Sequence, residues 1–582
     1  MCETILNVSS SLGNNKWIGN SLTEDRQAEF IMQRSNVSLL TATVLAIRGI
    51  NPEEVDQYLN PKIKNLMPDP CLLSDMRKAS NRLIQAVKNK ENIIIYSDFD
   101  VDGTTAASLL ILWLRDYGID PSLYIPNRIT EGYGPNINAF TQLAKKNTLL
   151  LCLDSGTQAF ESVEAANKEN CDVIIIDHHQ VNQNIPKSFA LINPKRKNED
   201  PTFFDLCTAG LVFLFIADLN RISREDNKKE FNLINCMDLV ALATMADVVP
   251  LKGLNRAFVH QGIRTISKNK RPCFEALAEQ ANFRSPITDQ ALAFTFAPRI
   301  NAAGRISDAK LATKLLTTKN LGNAEKYANK LETLNMERKN LEQSVLDSAL
   351  LQAKIQQESG ANILWMFEKG WHPGVIGIVA SRIKETFKKP AIVIAIGENG
   401  VGIGSARSTK ALDIGACFIK LKEMNLLLSG GGHSMAAGLK IDSTKIVEAQ
   451  KMLSSIYKPI NQEKRELQIN AVLSTSAVSI SLLEELNSAG PFGSSSPFPV
   501  VAFPNCTINH AQILGEKHIK ISFSNNSGSR IEGILFNDLG SDIGQFLISK
   551  QKGKAHIAGR VEINEWGGRK RINLIIMDVA SQ

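Results

Sequence analysis

The sequence predicts a multidomain α/β protein with a parallel-sheet first lobe, a long helical connector, a second α/β lobe and a C-terminal β-barrel. Apolar strands alternate with helical segments from Glu91 to Leu251, which is the pattern of a parallel sheet with helical crossovers. Apolar residues recur at helical spacing from Leu311 to Ser359. Short alternating strands with turn residues follow Lys464 and are typical of a small barrel.

The 582 residues are enough for about three or four domains. We place the boundaries at 1–80 for a mostly helical N-terminal lead-in, 81–310 for the first lobe, 311–359 for the connector, 360–460 for the second lobe and 464–582 for the barrel. Strands of the first lobe are predicted at Asn92–Tyr96, Ser122–Ile125, Thr148–Leu153, Asp172–Ile176 and Ala190–Ile192. In the second lobe, strands at 362–367 and 390–396 flank a helix at 375–387.

The composition is that of an ordinary globular protein, with 43% hydrophobic and 21% charged residues. A net charge of +7 permits a polyanionic partner. The nine cysteines form no CxxC pair, so we expect reduced thiols and neither a disulfide framework nor a zinc site. No apolar run approaches the ~20 residues of a membrane helix, and the first residues lack the layout of a signal peptide. A cytoplasmic protein without membrane association is therefore expected.

Acidic side chains follow the predicted apolar elements at four points along the first lobe. The carboxyl ends of parallel strands meet at one sheet edge, where ligands bind in open α/β folds. Clustered carboxylates repel one another unless a cation lies among them, and oxygen ligands with imidazole suit Mn²⁺ or Mg²⁺. A solvated acidic turn, or a pair of structural histidines, is the alternative. The residues concerned are Asp98, Asp100, Asp102, Asp154, Asp177, His178, His179 and Asp247.

These segments, together with four downstream ones, resemble a known family. DFDVDG at 98–103, DSG at 154–156, DHH at 177–179 and ATMADVVPL at 243–251 are similar to the metal-binding motifs of the DHH phosphoesterase superfamily. PRINAAGR at 298–305, GWHPGVIGIVASRI at 370–383, GSARS at 404–408 and GGGHSMAAG at 430–438 resemble the RecJ family of single-strand-specific 5′→3′ exonucleases. The tail after Leu467 resembles the oligonucleotide-binding (OB) domain of that family.

The resemblance implies a centre of two Mn²⁺ or Mg²⁺ ions. The matching ligand positions are Asp100, Asp102, Asp154, His178 and Asp247, with Asp154 bridging the two ions. Asp98 is either a further ligand or a residue that does not bind the metal but influences the residues that do. His179 is expected to face the scissile phosphate as an acid or hydrogen-bond donor. Asp177 either orients the neighbouring imidazoles or caps a helix.

Substrate contacts are expected from the downstream segments. Arg299 and Arg305 could hold phosphates, with surface salt bridges as the alternative. The helix after Gly374 and a flexible glycine run at 430–438 could present backbone amides to an anionic strand, although glycine clusters are often only tight turns. The residues expected to bind substrate are Arg299, Asn301, Arg305, His372, Ser405, Arg407, Ser408, Gly431, Gly432 and His433.

The predicted barrel combines basic residues with aromatic ones, as barrels that hold single strands do. A basic surface on a structural barrel is the alternative. The chain departs from the family pattern at Gly493–Pro499, where a GxGNPxP run is usual, and at Ser155 and Leu254, where Cys and Glu are usual. The basic residues are Lys517, Lys520, Arg530, Lys550, Lys552, Lys554, Arg560, Arg569, Lys570 and Arg571, and the aromatic ones are Phe523, Phe546 and Trp566.

The function implied by the resemblance is a two-metal exonuclease that degrades single-stranded DNA from 5′ to 3′, releases 5′-mononucleotides and acts in DNA repair and recombination. Two alternatives stay open: a phosphodiesterase acting on oligoribonucleotides or cyclic dinucleotides, and a catalytically inactive scaffold that only binds DNA. The resemblance also implies a RecQ-type helicase and a single-strand-binding protein as partners. A monomer is expected, because no self-complementary apolar segment stands out.

Overall fold

A computed structural model describes residues 4–457, 465–515, 517–525, 528–549, 553–566 and 569–581, without the side chain of Trp566. Strand β1 (Asn15–Ile18) pairs in parallel with Arg465–Gln468, and the indole of the buried Trp17 donates a hydrogen bond of 2.7 Å to Asp578. The N-terminal segment is therefore anchored on the C-terminal domain. Its helices are α1 (Leu22–Arg34), α2 (Leu39–Ile47), α3 (Val55–Leu59) and α4 (Ile63–Leu66).

The first lobe is built on a parallel five-stranded sheet, as predicted. The order is β3-β2-β4-β5-β6, with helices packed against it. Its elements are α5 (Met76–Lys88), β2 (Asn92–Ser97), α6 (Val101–Asp116), β3 (Ser122–Tyr124), α7 (Ile137–Leu143), β4 (Thr148–Leu153), α8 (Phe160–Lys168), β5 (Asp172–Ile176), β6 (Ala190–Ile192), α9 (Thr208–Glu225), α10 (Met237–Ala246), α11 (Gly253–Asn269), α12 (Pro272–Gln280), α13 (Asp289–Ala291), a π-helix (Leu292–Phe296) and α14 (Ala297–Ile306).

Strands β2, β4 and β5 are almost entirely buried, which explains why they are continuous runs of Ile, Leu and Val. Gly103 lies inside α6, where the absence of a side chain permits close packing against the Asp98 backbone. The PRINAAGR segment has an unusual composition for a plain helix but forms most of α14, because Pro298 occupies the first turn, where no backbone donor is needed.

The connector consists of α15 (Lys310–Thr317) and α16 (Leu321–Glu358), as predicted. Ala324, Ala328 and Leu331 of α16 pack into the core of the first lobe, and its later residues Val345 and Ala349 pack into that of the second. A single 38-residue helix therefore belongs to both cores and fixes one lobe against the other.

The second lobe contains a mixed five-stranded sheet of order β10-β11-β9-β8-β7. Only β7 and β8 are parallel. The glycine run, expected to be flexible, is instead the antiparallel pair β10 and β11, so its amides are held in a sheet. The elements are β7 (Leu364–Lys369), α17 (Ile376–Phe387), β8 (Ala391–Ile396), β9 (Val401–Arg407), α18 (Ile414–Glu423), β10 (Ser429–His433), β11 (Ala436–Asp442) and α19 (Ile446–Ile456).

The C-terminal domain is a closed five-stranded barrel of order β14-β15-β16-β18-β17, with β17 pairing back onto β14. Segment 493–499, where the sequence departs from the family pattern, docks on the first lobe, since Leu251 N donates to Ser494 O at 2.9 Å. The elements are β12 (Arg465–Gln468), β13 (Ala471–Val472), α20 (Ile480–Ser488), β14 (Val501–Leu514), β15 (His518–Ser524), β16 (Arg530–Leu535), α21 (Asp542–Ser549), β17 (Lys554–Trp566) and β18 (Arg569–Ser581).

The aromatic residues of the barrel need a correction. Phe523 is fully buried in the barrel core and cannot stack on a base. Phe546 is half-buried against the same core. Lys550 and Lys552 lie outside the described residues, as does the side chain of Trp566. Among the helices in the described ranges, none is long and apolar enough to cross a bilayer.

Two glycines set the distance between α14 and its neighbours. A Cβ on Gly304 would lie 2.4 Å from the Phe99 carbonyl oxygen, and one on Gly374 would lie 2.2 Å from the Arg305 carbonyl oxygen. These contacts involve rigid backbone, so a methyl group can be accommodated only if α14 moves. Both glycines border the acid-rich strand end, and the spacing of that region therefore depends on them.

We expect Gly304→Ala to destabilise the fold by about 1–3 kcal/mol, because overpacked backbone contacts must shift. Urea unfolding should show the loss. Gly322→Ala, in the first turn of α16, is the matched control, since the nearest atom to its Cβ is 3.4 Å away. Equal stability of the two variants would contradict the predicted contact.

Candidate metal centre and substrate cleft

The acids converge at the carboxyl edge of the first sheet because each follows a different element. Asp98 comes directly after β2, and Asp100 caps α6 by accepting a hydrogen bond from Gly103 N. Asp154 follows β4 in the left-handed region at φ 61°, a strained position that turns its side chain back toward the sheet edge. Asp247 ends α10. The local structure therefore brings three chain-distant segments to one place, and the segment after β5 adds His178.

His178 lies at the centre of this cluster. Its Nε2 is 3.6 Å from Asp154 Oδ1, 3.6 Å from Asp247 Oδ2 and 3.9 Å from Asp102 Oδ2. Three sets of ligand atoms each lie within 4.8 Å of one another: Asp98 with Asp100 and Asp154, Asp102 with His178 and Asp247, and Asp154 with His178 and His179. The arrangement thus offers adjacent positions for cations, with Asp154 and His178 between them.

The electrostatics of the cluster fit divalent cations. Burial, followed by mutual repulsion, raises the pKa of Asp98 and Asp154 well above the usual range, and that of Asp102 to about 6 and of Asp247 to about 8. Asp98 Oδ1 and Asp247 Oδ2 are buried and have no hydrogen-bond partner among the described residues. Burial lowers the pKa of His178 to about 3, so its imidazole is neutral, as a metal ligand must be.

Without metal, the acid cluster should make the folding stability of the protein depend on pH. The pKa values of Asp102 and Asp247 are raised in the folded state, so their contribution to stability is complete below about pH 4 and is lost as pH rises through about 6 to 8. Bound cations would offset the repulsion. We therefore expect Mn²⁺ to raise the melting temperature, measured against an EDTA sample, more at pH 8.5 than at pH 5.5.

Asp247→Asn is the matched control, because it removes one of the raised carboxyl groups. Without metal, its melting temperature should fall less than that of the wild type between pH 5.5 and pH 8.5. A parallel fall in both proteins, or an Mn²⁺ effect that does not depend on pH, would contradict the prediction.

Two further residues, Thr208 and Ala209, hold the carboxylates and were not predicted from the sequence. Asp102 accepts hydrogen bonds from Thr208 N at 2.7 Å and Ala209 N at 2.8 Å, at the start of α9. The Thr208 hydroxyl donates to Asp154 Oδ1 at 2.8 Å. A helix N-terminus stabilises negative charge, so α9 helps to keep these acids in place. The sequence feature that could have indicated this contact is Thr208, the first residue of the apolar helix α9.

His179 lies beside Asp154 and His178 and is oriented by Asp177. The distance from Asp177 Oδ1 to His179 Nδ1 is 2.7 Å, and Asp177 also accepts from Thr157 N. Burial opposes the charged form of both residues, but their hydrogen bond outweighs it, so the pKa of His179 rises to about 9 and that of Asp177 falls. No described helix begins directly after Asp177, so the helix-cap alternative is wrong. Asp177 accepts hydrogen bonds from His179 and not from both histidines.

A cleft of about 940 Å³ opens from the cluster and lies between the two lobes. Asn301, Arg305, Ser405 and Gly431 line it, as predicted for substrate contacts. The Asn301 side chain also accepts from Val101 N at 3.1 Å, which ties α14 to α6. Arg407 lies beside Ser405 and donates to its hydroxyl at 3.2 Å.

Other predicted substrate residues are placed elsewhere. Arg299 is ion-paired with Glu332 at 2.5 Å and donates to Thr295 O, so the salt-bridge alternative describes it. Ser408 is buried and donates to Leu412 O. His372 accepts from Gly374 N through Nδ1 and thus shapes the turn before α17. Gly432 and His433 lie on β10 but do not line the cleft.

Arg128 is a cleft residue that the sequence analysis missed. It lies in the loop after β3, lines the cleft and stacks 5.0 Å over the Phe99 ring. No hydrogen bond or ion pair to it occurs in the part of the chain that the structure describes. Burial lowers the pKa of Arg128, and it lowers the pKa of Arg305 to about 10. Neither guanidinium forms an ion pair among the described residues, although Asp98 and Asp100 lie near enough to raise the pKa of Arg128, so both groups are available to an anion bound in the cleft.

Comparison with known proteins agrees with this geometry. Residues 92–244 match the DHH family, N-terminal domain, residues 360–458 match the DHHA1 domain, and residues 469–578 match the RecJ OB domain. The single-stranded-DNA-specific exonuclease RecJ of Salmonella typhimurium is 32% identical over 93% of this chain and 95% of its own length. The chain belongs to the RecJ family. RecJ of Escherichia coli has the same identity and coverage.

Solved RecJ structures share the whole architecture. RecJ from Thermus thermophilus in complex with Mn²⁺ matches with a TM-score of 0.81 at 25% identity, covering 98% of this chain and 80% of that one. The complex of the same protein with Mg²⁺ matches with a TM-score of 0.74. The acid cluster of this RecJ-family chain therefore has the ligand types of a Mn²⁺ or Mg²⁺ site in the corresponding fold.

Proposed function

We propose that this chain is a two-metal-dependent exonuclease that degrades single-stranded DNA from 5′ to 3′, releases 5′-mononucleotides and acts in DNA repair and recombination. The observation that carries the proposal is one cleft lined by Asp98 and Asp100 of the acid cluster and by the guanidinium groups of Arg128 and Arg305. One strand bound in this cleft would therefore contact both the proposed metal ligands and the proposed phosphate-binding groups.

The chemistry divides between the metal ligands and His179. Two divalent cations, when bound, lower the pKa of a water molecule and stabilise the attacking and leaving oxygens. Asp100, Asp102, Asp154, His178 and Asp247 are the proposed ligands, and the partnerless oxygen of Asp98 makes it a sixth candidate. His179 donates to the leaving oxygen through Nε2–H, while Asp177 accepts from its Nδ1–H and raises the pKa of the imidazole.

The polarity follows from the phosphate contacts. We assign Arg128, Arg305, Ser405 and Arg407 to the phosphates at the 5′ end, because the first three line the cleft and Arg407 donates to the Ser405 hydroxyl beside it. The edge amides of the β10–β11 pair add donors near Gly431. A cleft enclosed by two lobes accommodates an unpaired strand, which turns sharply, better than a stiff duplex.

The barrel provides a second contact for the strand. A groove of about 620 Å³ on its outer face is lined by Lys520, Glu532, Arg569 and Arg571, among others. Lys520 is paired with Glu532, whereas the two arginines have no ion pair within the described ranges. Basic grooves of this kind bind the backbone of single strands.

We expect Arg569→Gln combined with Arg571→Gln to weaken binding of a long single strand and to reduce the salt dependence of binding by about two phosphate contacts. Fluorescence anisotropy at several salt concentrations measures both quantities. Hydrolysis of a very short oligonucleotide, which reaches only the cleft, should be unchanged. A loss that is equal for short and long strands would contradict a separate barrel contact.

The test of the proposed function is incubation with Mn²⁺ and single-stranded DNA labelled at its 3′ end, beside duplex DNA and single-stranded RNA. Successive shortening from the 5′ side, confined to the single-stranded DNA, is expected. Binding without cleavage would favour a DNA-binding scaffold, and faster cleavage of short RNA would favour an oligoribonuclease. A monomer, a cytoplasmic location, and a RecQ-type helicase and single-strand-binding protein as partners remain predictions, testable by sedimentation, fractionation and pull-down.

A further inference from the structure

A rigid loop crosses the mouth of the cleft between β3 and α7. Glu131 holds it together by accepting hydrogen bonds from Asn127 N at 2.8 Å, the Tyr124 hydroxyl at 2.6 Å and the Asn136 side chain at 3.0 Å. The buried Tyr96 hydroxyl donates to Gly134 O at 2.9 Å. Gly132 and Gly134 adopt φ values of 87° and 77°, which side chains rarely tolerate. The loop thus has one defined shape.

Tyr133 lies between these two glycines and reaches the acid cluster. Its hydroxyl oxygen is 3.0 Å from His179 Nε2, 3.2 Å from His179 Nδ1 and 3.3 Å from the Asp154 carbonyl oxygen. The phenol ring lies edge-on to His179, with 5.6 Å between the ring centroids, and edge-on to Phe99.

These distances place the hydroxyl over the face of the imidazole. One oxygen can lie so close to both nitrogens of the same ring only from above, because an in-plane approach would collide with ring carbons. The Tyr133 hydroxyl therefore does not occupy the in-plane direction at Nε2. Asp177 holds the ring by its other nitrogen at 2.7 Å, but one hydrogen bond leaves rotation about that axis free.

We propose that Tyr133 is a positioning residue that fixes the ring plane of His179, so that its Nε2–H points at the leaving oxygen. The proposal rests on the proposed function, in which His179 assists departure of that oxygen. The hydroxyl donates to the Asp154 carbonyl and presents its lone pairs to the imidazole face, while Asp177 fixes the ring edge. The loop that Glu131 and the two glycines shape keeps the Tyr133 hydroxyl beside the Asp154 carbonyl, directly after β4.

The test replaces Tyr133 with phenylalanine, which keeps the ring and removes the hydroxyl. We expect kcat for single-stranded DNA to fall by about tenfold with KM within about twofold, since orientation of a general acid affects only the chemical step. In a His179→Gln background, Tyr133→Phe should cause no further loss. Tyr117→Phe is the matched control, because the Tyr117 hydroxyl contacts Ser223 and Lys229 on a remote surface.

A second readout does not depend on activity. In protein labelled with ¹⁵N-histidine, Tyr133→Phe should move the imidazole signals of His179, assigned by their absence in His179→Gln, whereas Tyr117→Phe should not. Unmoved signals, an unchanged or higher kcat, a rise in KM alone, or an equal loss in the His179→Gln background would each overturn the inference. If the wild type degrades no nucleic acid while the signals still move, the proposed function fails and the contact stands.

Discussion

Asp154→Asn is expected to reduce exonuclease activity by at least about 10³-fold, or about 4 kcal/mol of transition-state stabilisation. Asp154 belongs to two of the three ligand sets and lies 3.6 Å from His178, so it is the carboxylate that adjacent cations would share. The amide keeps the size and one acceptor of the side chain but removes its charge. Initial rates with saturating Mn²⁺ measure the loss.

Calorimetric titration with Mn²⁺ should show weaker binding and fewer occupied positions in this variant. Asp226→Asn is the matched control, because Asp226 is exposed and pairs only with surface lysines. The shared-ligand assignment is wrong if Asp154→Asn retains activity within tenfold of the wild type, or if it loses activity with unchanged metal binding.

Arg128→Gln is expected to raise KM for 5′-phosphorylated single-stranded DNA by about 10- to 100-fold, since a hydrogen bond to a charged group contributes roughly 1.5–3 kcal/mol. The half-buried guanidinium of Arg128 forms no ion pair among the described residues, so it can pair with a phosphate. The preference for a 5′-phosphate over a 5′-hydroxyl end should shrink by a similar factor. Steady-state kinetics on both oligonucleotides measure the effect.

Arg115→Gln is the matched control. Arg115 belongs to the same lobe but pairs with Asp120 on the surface, so its loss should leave both substrates unaffected. If Arg128→Gln lowers activity on both 5′ ends equally, Arg128 contacts an internal phosphate and not the terminal one. A variant with wild-type KM for both would contradict any phosphate contact.

The local sequence was sufficient for the elements and for the metal cluster. The strands Asn92–Ser97, Thr148–Leu153 and Asp172–Ile176 have apolar centres because both sheet faces are covered, and a parallel sheet places their carboxyl ends together. The acids after them had to converge. The positions of these acids follow directly from the strands that precede them, which is why they could be predicted from the sequence.

The partners of individual side chains could not be anticipated in the same way. Arg299 and Arg305 stand six residues apart on α14, yet one pairs with Glu332 of α16 and the other lines the cleft. Phe523 lies on β15 three residues after Lys520, but its face of the strand points into the barrel core. Helix rotation and strand facing decide these outcomes, and both are set by packing against distant segments.

The sequence by itself determined the domain order, the strand ends and the carboxylate and imidazole groups of the centre, because each depends on contiguous residues. Only the tertiary structure decided which guanidinium groups remain without a partner and which hydroxyl lies over His179. Arg128 and Tyr133 reach the centre through a loop whose shape depends on hydrogen bonds that Glu131 and the Gly134 carbonyl accept. The contacts of Tyr96 with Gly134 and of Tyr133 with His179 join residues that are far apart in the chain, and their free energies depend on three-dimensional distances that no local pattern encodes.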